Sequence, residues 1–214
     1  MNKQVAFFDF DGTLTNGDSL IPFLRMVRGT PRFALDLLVA SPWLSAYAVG
    51  LIRNDMAKEV LLRKSIGGTS LDDLRAHGQY FAEHFVAKML RADMMERLHK
   101  HLEQGDCCVL VSASLDLYLE PWAKMIGFDY CITSSLVIDA NGTATGVLRG
   151  GNCFGEEKVH RIKRLLNKIG RPSRSYAYGD SQGDIPMLSM VDEGYRVQKS
   201  IKAYPNIKHQ EFKE

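Results

Sequence analysis

Residues 7–15 read FFDFDGTLT, an apolar run that turns directly into two aspartates, a glycine and two threonines. The run predicts a buried strand, at whose end Asp9 and Asp11 lie two positions apart and point the same way. Two neighbouring carboxylates repel each other unless a cation or a shared proton compensates. The pair is therefore a candidate active site, and an Asp-Gly pair that merely caps a turn is the structural alternative.

The composition is that of an ordinary globular protein. The 214 residues are 45% hydrophobic and 24% charged, with a formal net charge of +2. This length allows one core domain with a smaller insert, and the scattered basic residues do not call for a nucleic acid partner. The four cysteines lack C-x-x-C spacing and follow no signal peptide, so we expect a reducing cytoplasmic location. The oligomeric state stays open.

The order of apolar and amphipathic segments predicts an α/β fold. Three apolar runs end in small or acidic polar residues, and helical patterns flank them. This alternation indicates a doubly wound parallel sheet with its site at the carboxyl ends of the strands. Residues 135–148, with Asn-Gly at the centre, predict a β-hairpin that forms a flap. The predicted strands are 4–10, 107–111 and 175–178, and the predicted helices are 94–103, 115–126, 156–169 and 185–190.

Residues 17–91 interrupt this rhythm and are helical in composition. We therefore expect a core domain formed by 1–16 and 92–214, with 17–91 as an inserted helical domain above the strand ends.

The insert contains a long apolar stretch, residues 33–52. Asp36 argues against a membrane span, and Ser41-Pro42 predicts a break into two short helices that pack as a hairpin. Shallow contact with a membrane surface is the alternative, because three arginines precede a segment that carries two aromatic residues. These residues are Arg25, Arg28, Arg32, Trp43 and Tyr47.

A second acidic loop, GDSQGD at residues 179–184, follows the third predicted strand. Asp180 and Asp184, together with the first pair, would form a carboxylate cluster that needs a hard divalent cation, and oxygen ligands suit Mg²⁺. Read alone, the two acids could be a loop residue and the N-cap of a helix that begins at Ile185.

The chemistry that these residues allow is phosphoryl transfer. Asp9 could attack phosphorus, and Asp11 could protonate the leaving oxygen and later activate water. Ser112 and the N–H of Ala113 could bind phosphate oxygens, and the ammonium of Lys158 could neutralise their charge. Taken singly, Ser112 is more typical of a structural serine, and Lys158 is more typical of a solvated helix residue.

Other classes lack their motifs. The chain has no G-x-x-x-x-G-K-[ST] loop of a P-loop nucleotide hydrolase, and no G-x-G-x-x-G follows the first predicted strand as in a dinucleotide oxidoreductase. A non-catalytic binding module would be expected to have lost Asp9 or Asp11. A phosphomutase or phosphotransferase would need an acceptor alcohol, which nothing in the sequence requires.

The series D-x-D-G-T, a strand ending in Ser112, Lys158 and G-D-x-x-x-D resembles the haloacid dehalogenase superfamily, and the helical insert resembles the cap of its subfamily IB, which includes phosphoserine phosphatase. The resemblance implies that Asp9 becomes an aspartyl phosphate, that Asp11 is the general acid and base, and that Mg²⁺ is the cofactor. It assigns Mg²⁺ to an Asp9 oxygen, the Asp11 carbonyl, Asp180 and Asp184, and the phosphate site to Ser112, Ala113, Lys158 and Thr13.

The substrate stays open between two classes of phosphate ester. Phosphoserine phosphatase has a glutamate that reads the substrate's amino group, whereas this chain has Asp18 at the matching distance. The apolar stretch 33–52 is similar instead to the CicA-like branch, which is related to bacterial lipid-phosphate phosphatases. A small polar ester and a lipid phosphate hydrolysed at the inner membrane surface are the two candidates.

Overall fold

The structure, a computed structural model, describes residues 3–197 and 201–203, the latter by their backbone only. Its main sheet has the order β3-β2-β1-β6-β7-β8 among the described residues. Neighbouring strands from β3 to β7 are parallel, and only β8 at the edge is antiparallel. The predicted doubly wound parallel sheet is confirmed. The strands are Val5–Phe8 (β1), Cys107–Leu115 (β2), Tyr130–Ser134 (β3), Leu136–Ile138 (β4), Ala144–Leu148 (β5), Ser175–Gly179 (β6), Glu193–Val197 (β7) and Ile201–Ala203 (β8).

The sheet is buried on both faces because alternate residues of its strands join two different apolar clusters. In β1, Phe8 packs into one cluster and Phe7 into the other. The adjacent Cys108 and Cys107 of β2 divide in the same way, as the period of two along a strand requires. Burial on both faces explains why these strands are continuous apolar runs in the sequence.

The helices that flank the sheet match the predicted pattern to within two residues at their ends, and the helix over 156–169 has the predicted bounds. Four further helices, α1 to α4, lie between β1 and β2 in the chain, where the insert is expected. The helices are Leu20–Arg28 (α1), Thr30–Ala48 (α2), Asn54–Ile66 (α3), Leu71–His84 (α4), Ala92–Glu103 (α5), Asp116–Ile126 (α6), Glu156–Ile169 (α7) and Ile185–Ser189 (α8).

One prediction about the insert is wrong: Pro42 does not divide the apolar stretch into two helices, since α2 continues through it. A proline cannot donate to the carbonyl four residues earlier, here that of Leu38. The Ser41 hydroxyl donates to this carbonyl at 2.8 Å instead. The bond satisfies the acceptor that Pro42 leaves without its helical partner.

Helix α2 buries only a narrow stripe, formed by Phe33, Asp36 and Ala40. Leu37 and Leu44 are partly buried against the core, and most of its other large apolar side chains are exposed. In the described part of the chain no helix is both long enough and apolar enough to cross a bilayer. The exposed apolar residues of α2, which we call the α2 outer face, are Leu35, Leu38, Val39, Trp43 and Tyr47.

The predicted hairpin is formed by β4 and β5 and is bound to the insert through its backbone. The Gly68 N–H donates to the Ala144 carbonyl at 2.8 Å, and the Ala144 N–H donates to the Thr69 carbonyl at 2.8 Å. Glu59 of α3 accepts from the N–H of Leu148 at 3.0 Å. The hairpin and the insert helices therefore pack as neighbours on the same side of the strand ends.

Candidate active site

The carboxyl ends of β1, β2 and β6 border a cavity of about 550 Å³. Six of the eight predicted site residues line this cavity, although they are separated by up to 171 positions in the chain. Helices α1, α2 and α3 of the insert supply the opposite wall. The predicted residues that line the cavity are Asp9, Asp11, Ser112, Ala113, Lys158 and Asp180.

Lys158 lies at the centre of the site and is buried in the first turn of α7. Its ammonium is 2.6 Å from Asp9 Oδ1, 2.6 Å from Asp184 Oδ1 and 3.0 Å from the carbonyl oxygen of Val111. Burial opposes the charged form, but the carboxylates of Asp9 and Asp184 raise the pKa of Lys158 above its usual value. The side chain is therefore a permanent cation that joins the β1 and β6 loops.

Asp9 follows the last residue of β1 and is held by two donors. Lys158 contacts one carboxylate oxygen, and the Thr13 hydroxyl donates to the other at 3.0 Å. Burial and the charge of Asp184 together raise the pKa of Asp9 to about 8, although Lys158 lowers it. Thr13 is fully buried, and its predicted role in binding phosphate stays a prediction.

Three carboxylates, those of Asp9, Asp180 and Asp184, offer oxygens within 4.8 Å of one another. Of the four acids expected to form one cluster, the structure brings these three together, whereas the side chain of Asp11 lies outside the group. Asp180 Oδ1 is buried and has no hydrogen-bond partner among the described residues. Since one ammonium faces three carboxylates, and one of their oxygens lacks any donor, the cluster fits a hard divalent cation with oxygen ligands.

The loop after β1 approaches this cluster at Gly12. A Cβ at this position would lie 2.2 Å from Asp180 Oδ2, and the backbone φ of Gly12 is 78°. Both the close contact and the left-handed conformation require glycine.

The Asp184 side chain does not cap α8, the role that the structural alternative gave it. Its Oδ2 accepts from the N–H and the hydroxyl of Ser181, while its Oδ1 faces Lys158.

Asp11 lies in the same cavity, but its side chain is outside the three-carboxylate cluster. The Ser19 N–H donates to Asp11 Oδ1 at 2.7 Å, and the Ser114 hydroxyl donates to Oδ2 at 2.5 Å. Burial and the charge of Asp18 raise the pKa of Asp11 to about 6. A carboxyl with this pKa can be protonated or ionised near neutral pH, as a group that acts as both acid and base must be.

Ser112 ends the apolar part of β2 and is buried, and its hydroxyl accepts from the N–H of Ser114 at 3.1 Å. These residues lie within β2, at the place where its register against β3 shifts between Val111 and Leu115. The Ala113 carbonyl accepts from the ammonium of Lys58 at 2.5 Å. The predicted roles of Ser112 and Ala113 in phosphate binding stay predictions.

Lys58, Ser19 and Ser114 were not singled out by the sequence. Lys58 extends from α3 of the insert to the core, where it also contacts Asn152 Oδ1 at 3.1 Å. Burial lowers its pKa to about 8. No pattern in the sequence separates it from the other lysines on helices, because its environment is created by the packing of α3 against α2 and β5, which brings the side chain to the end of β2.

Comparisons with known proteins agree on one family. The sequence profile of the haloacid dehalogenase-like hydrolases matches residues 6–189. The protein CicA of Caulobacter vibrioides is 36% identical over 191 residues, which cover 89% of this chain and 84% of CicA. The phosphoserine phosphatase SerB1 of Mycobacterium tuberculosis is 27% identical, over 87% of this chain and 62% of its own.

A solved structure from Bordetella pertussis Tohama I, of a protein of unknown function, shares the fold. Its TM-score is 0.77 at 28% identity, and the match covers 89% of this chain and 88% of that chain. Because the match covers 89% of this chain, it includes residues of both the core and the inserted helices.

Proposed function

The chain belongs to the haloacid dehalogenase-like hydrolases and is a phosphatase of that family, and from this premise we propose that it hydrolyses a phosphate monoester through an aspartyl phosphate on Asp9. The observation that carries the proposal is the Lys158 ammonium, which lies 2.6 Å from both Asp9 and Asp184 beside the cavity. It holds the nucleophile in place and presents positive charge where a phosphoryl group would bind.

Two steps complete the reaction. In the first, a carboxylate oxygen of Asp9 bonds to phosphorus, the ester P–O bond breaks, and the leaving oxygen takes a proton from Asp11. In the second, Asp11 removes a proton from a water molecule that attacks phosphorus, which releases inorganic phosphate and restores the Asp9 carboxylate. Ser112, the Ala113 N–H and Lys158 bind the phosphoryl oxygens through both steps.

Magnesium is the proposed cofactor. Asp9, Asp180, Asp184 and the backbone carbonyl of Asp11 would hold it, and its fit rests on the Asp180 oxygen that has no hydrogen-bond partner in the part of the chain that the structure describes. When bound, the ion supplies positive charge that offsets the repulsion between the anionic nucleophile and the phosphate ester.

Residues 17–91 are proposed as a cap domain on a core formed by 1–16 and 92–214. The chain crosses between the two parts where Thr15 pairs with Leu90 and the Asn16 N–H donates to the Met89 carbonyl. These paired crossings bring both connections to one place. A cap in this position would exclude water from the first step.

The proposed substrate is a small polar phosphate ester similar to phosphoserine. The cap side of the cavity presents one carboxylate, one ammonium and one amide, from Asp18, Lys58 and Asn54. Opposite charges on one wall suit a substrate that carries both an amino and an acidic or hydroxyl group. The relative SerB1 is a phosphoserine phosphatase by name, which supports the same class.

A lipid phosphate at a membrane surface is the second candidate, favoured by the continuity between the cavity and the α2 outer face. Ile21 and Tyr47 line the cavity and are also exposed, at 38% and 39%. Trp43, which is 44% exposed and lies one helical turn before Tyr47 on α2, continues this exposed apolar surface. An amphiphile could place its phosphate at Asp9 and its apolar part between Ile21 and Tyr47.

A screen of phosphate esters separates the two candidates. The purified protein with Mg²⁺ should release phosphate from one class, and chelation by EDTA should abolish the release. Asp9→Asn should also abolish it, because an amide cannot attack phosphorus. The absence of turnover on every ester, including fluorogenic ones, would refute the phosphatase proposal.

Membrane contact is tested separately by flotation with anionic liposomes. Co-migration that Leu38→Ser and Trp43→Ser remove would support the lipid candidate and a location at the inner membrane surface. A protein that stays in the cytoplasmic fraction and fails to float would support the small polar ester.

A further inference from the structure

The Asp11 carboxyl is held by a chain of buried hydroxyl groups that extends away from the cavity. Ser19 N–H and the Ser114 hydroxyl bind its two oxygens at 2.7 and 2.5 Å. The Ser19 hydroxyl lies 2.9 Å from the Tyr118 hydroxyl. Ser19, Ser114 and Tyr118 are all buried. Ser19 lies at the start of α1, Ser114 near the end of β2 and Tyr118 in α6. Tertiary packing therefore places them together, and the geometry of a single helix or strand does not.

We propose that Ser114, Ser19 and Tyr118 are positioning residues that fix the Asp11 carboxyl for proton transfer to the leaving oxygen of the ester. The inference rests on the proposed function and deepens it. As the bond from Asp9 to phosphorus forms, the ester P–O bond breaks, its electron pair stays on the ester oxygen, and that oxygen takes the proton of Asp11. Because the Ser19 N–H makes Oδ1 an acceptor, the transferable proton lies on Oδ2, beside Ser114.

A serine hydroxyl suits this place because it can donate to Oδ2 in both forms of Asp11. When Asp11 is protonated, the hydroxyl donates to a lone pair of Oδ2, so the proton on Oδ2 is left to face the leaving oxygen. Asp11 changes between these forms twice in each turnover, and Ser114 can hold the carboxyl in both. Alanine at position 114 would leave Oδ2 free to rotate away from the leaving oxygen.

Tyr118 acts one step further from the reaction. Its ring packs against Phe23 of α1 and Phe81 of α4, with centroids 4.8 and 5.2 Å away. Packing explains a buried aromatic ring at this position, but it does not explain the hydroxyl. A phenylalanine would keep both ring contacts without a hydroxyl. The hydroxyl binds Ser19 and so fixes the N–H that holds Asp11. The orientation of the general acid thus depends on how α1 sits against α6.

Two esters of similar size distinguish positioning of an acid from general structural damage. Benzyl phosphate has an alcohol leaving group that needs a proton, whereas the leaving group of p-nitrophenyl phosphate is stable as an anion. The measured quantity is kcat/KM with Mg²⁺ present, since it reports the steps up to phosphoryl transfer. Hydrolysis of the intermediate, which is the same for both esters, does not enter it.

Ser114→Ala should lower kcat/KM for benzyl phosphate by about 10- to 100-fold, and for p-nitrophenyl phosphate by less than about 3-fold. Tyr118→Phe should lower the benzyl value by about 3- to 10-fold with the same selectivity, because it acts through Ser19. Matched controls are Ser65→Ala, a buried hydroxyl without a partner among the described residues, and Tyr176→Phe, whose hydroxyl bonds Gln4. Neither should change the ratio of the two esters.

An equal fall for both esters in the two variants, or no fall in either, would overturn the positioning network. That result differs from failure of the proposed function, in which the wild-type protein hydrolyses neither ester. Thermal unfolding of each variant shows separately whether the hydroxyl contributes to stability, which does not affect the ratio of the two rates.

Discussion

Lys158→Met removes the single ammonium from a buried group of carboxylates while it keeps most of the side-chain volume. The lysine contacts Asp9 and Asp184 at 2.6 Å each, and all three side chains are at most 8% exposed. Truncation of one partner of a buried ion pair costs about 3–5 kcal/mol, because the other charge is left without compensation. We expect a loss in the free energy of unfolding within this range at pH 7 in EDTA.

The loss should grow above pH 8. In the wild-type protein the pKa of Asp9 is raised to about 8. A carboxyl whose pKa is higher in the folded than in the unfolded state costs stability as the pH rises between the two values. Without Lys158 this range extends further upward, so the difference between variant and wild type should increase by up to about 1.4 kcal/mol per pH unit.

Guanidinium unfolding followed by circular dichroism at pH 7 and pH 9, with EDTA present, measures both effects. Lys163→Met is the control, since Lys163 is an exposed residue on the same helix and its replacement should change stability by less than about 0.5 kcal/mol. If Lys158→Met unfolds at the wild-type denaturant concentration at both pH values, the ammonium does not compensate the cluster and the electrostatic account is wrong.

Two further predictions concern the cation and the helix packing. Mg²⁺ affinity, measured by isothermal calorimetry, should rise from pH 6 to pH 8 by up to about tenfold per pH unit for each proton released. Burial raises the pKa values of Asp9 and Asp180, and both carboxyl groups must be ionised to bind the ion. Equal affinity at both pH values would argue against these ligands. Gly78→Ala should destabilise the protein by about 1–3 kcal/mol or more, since the alanine Cβ would lie 2.0 Å from the Leu117 carbonyl oxygen. The control Gln79→Ala, at the exposed neighbouring position, should be near neutral. A wild-type Tm for Gly78→Ala would contradict the close packing of α4 on α6.

The sequence predicted the parts of the site that depend on strand ends. Parallel strands bring their carboxyl ends to one edge of the sheet, so acids that follow separate apolar runs had to converge there. Asp9 and Asp180 therefore could be paired from sequence, and in the structure their carboxylate oxygens and those of Asp184 lie within 4.8 Å of one another. Helix α7 was predicted from a different feature, its amphipathic pattern after a glycine, and this pattern defines its bounds.

The parts that sequence did not predict depend on side chains from unrelated elements. Helix α2 continues through Pro42 because the Ser41 hydroxyl replaces the missing N–H donor. From the sequence alone, a continuous helix and a helix break at this proline are close in free energy. Ser19 and Tyr118 meet because α1 packs on α6. They are 99 residues apart, and no sequence pattern indicates contact between residues at that distance. Propensity and periodicity describe single elements, whereas these contacts are set by tertiary packing.

Direct detection of a phosphoryl group on Asp9 tests the central claim. The protein, mixed with Mg²⁺ and a phosphorus-labelled ester that it hydrolyses, is quenched in acid during turnover and digested for mass spectrometry. The account predicts an acid-stable, hydroxylamine-sensitive label on the peptide that contains Asp9, and a larger labelled fraction in Asp11→Asn with a p-nitrophenyl ester. Turnover without any label on that peptide, in both proteins, would contradict it.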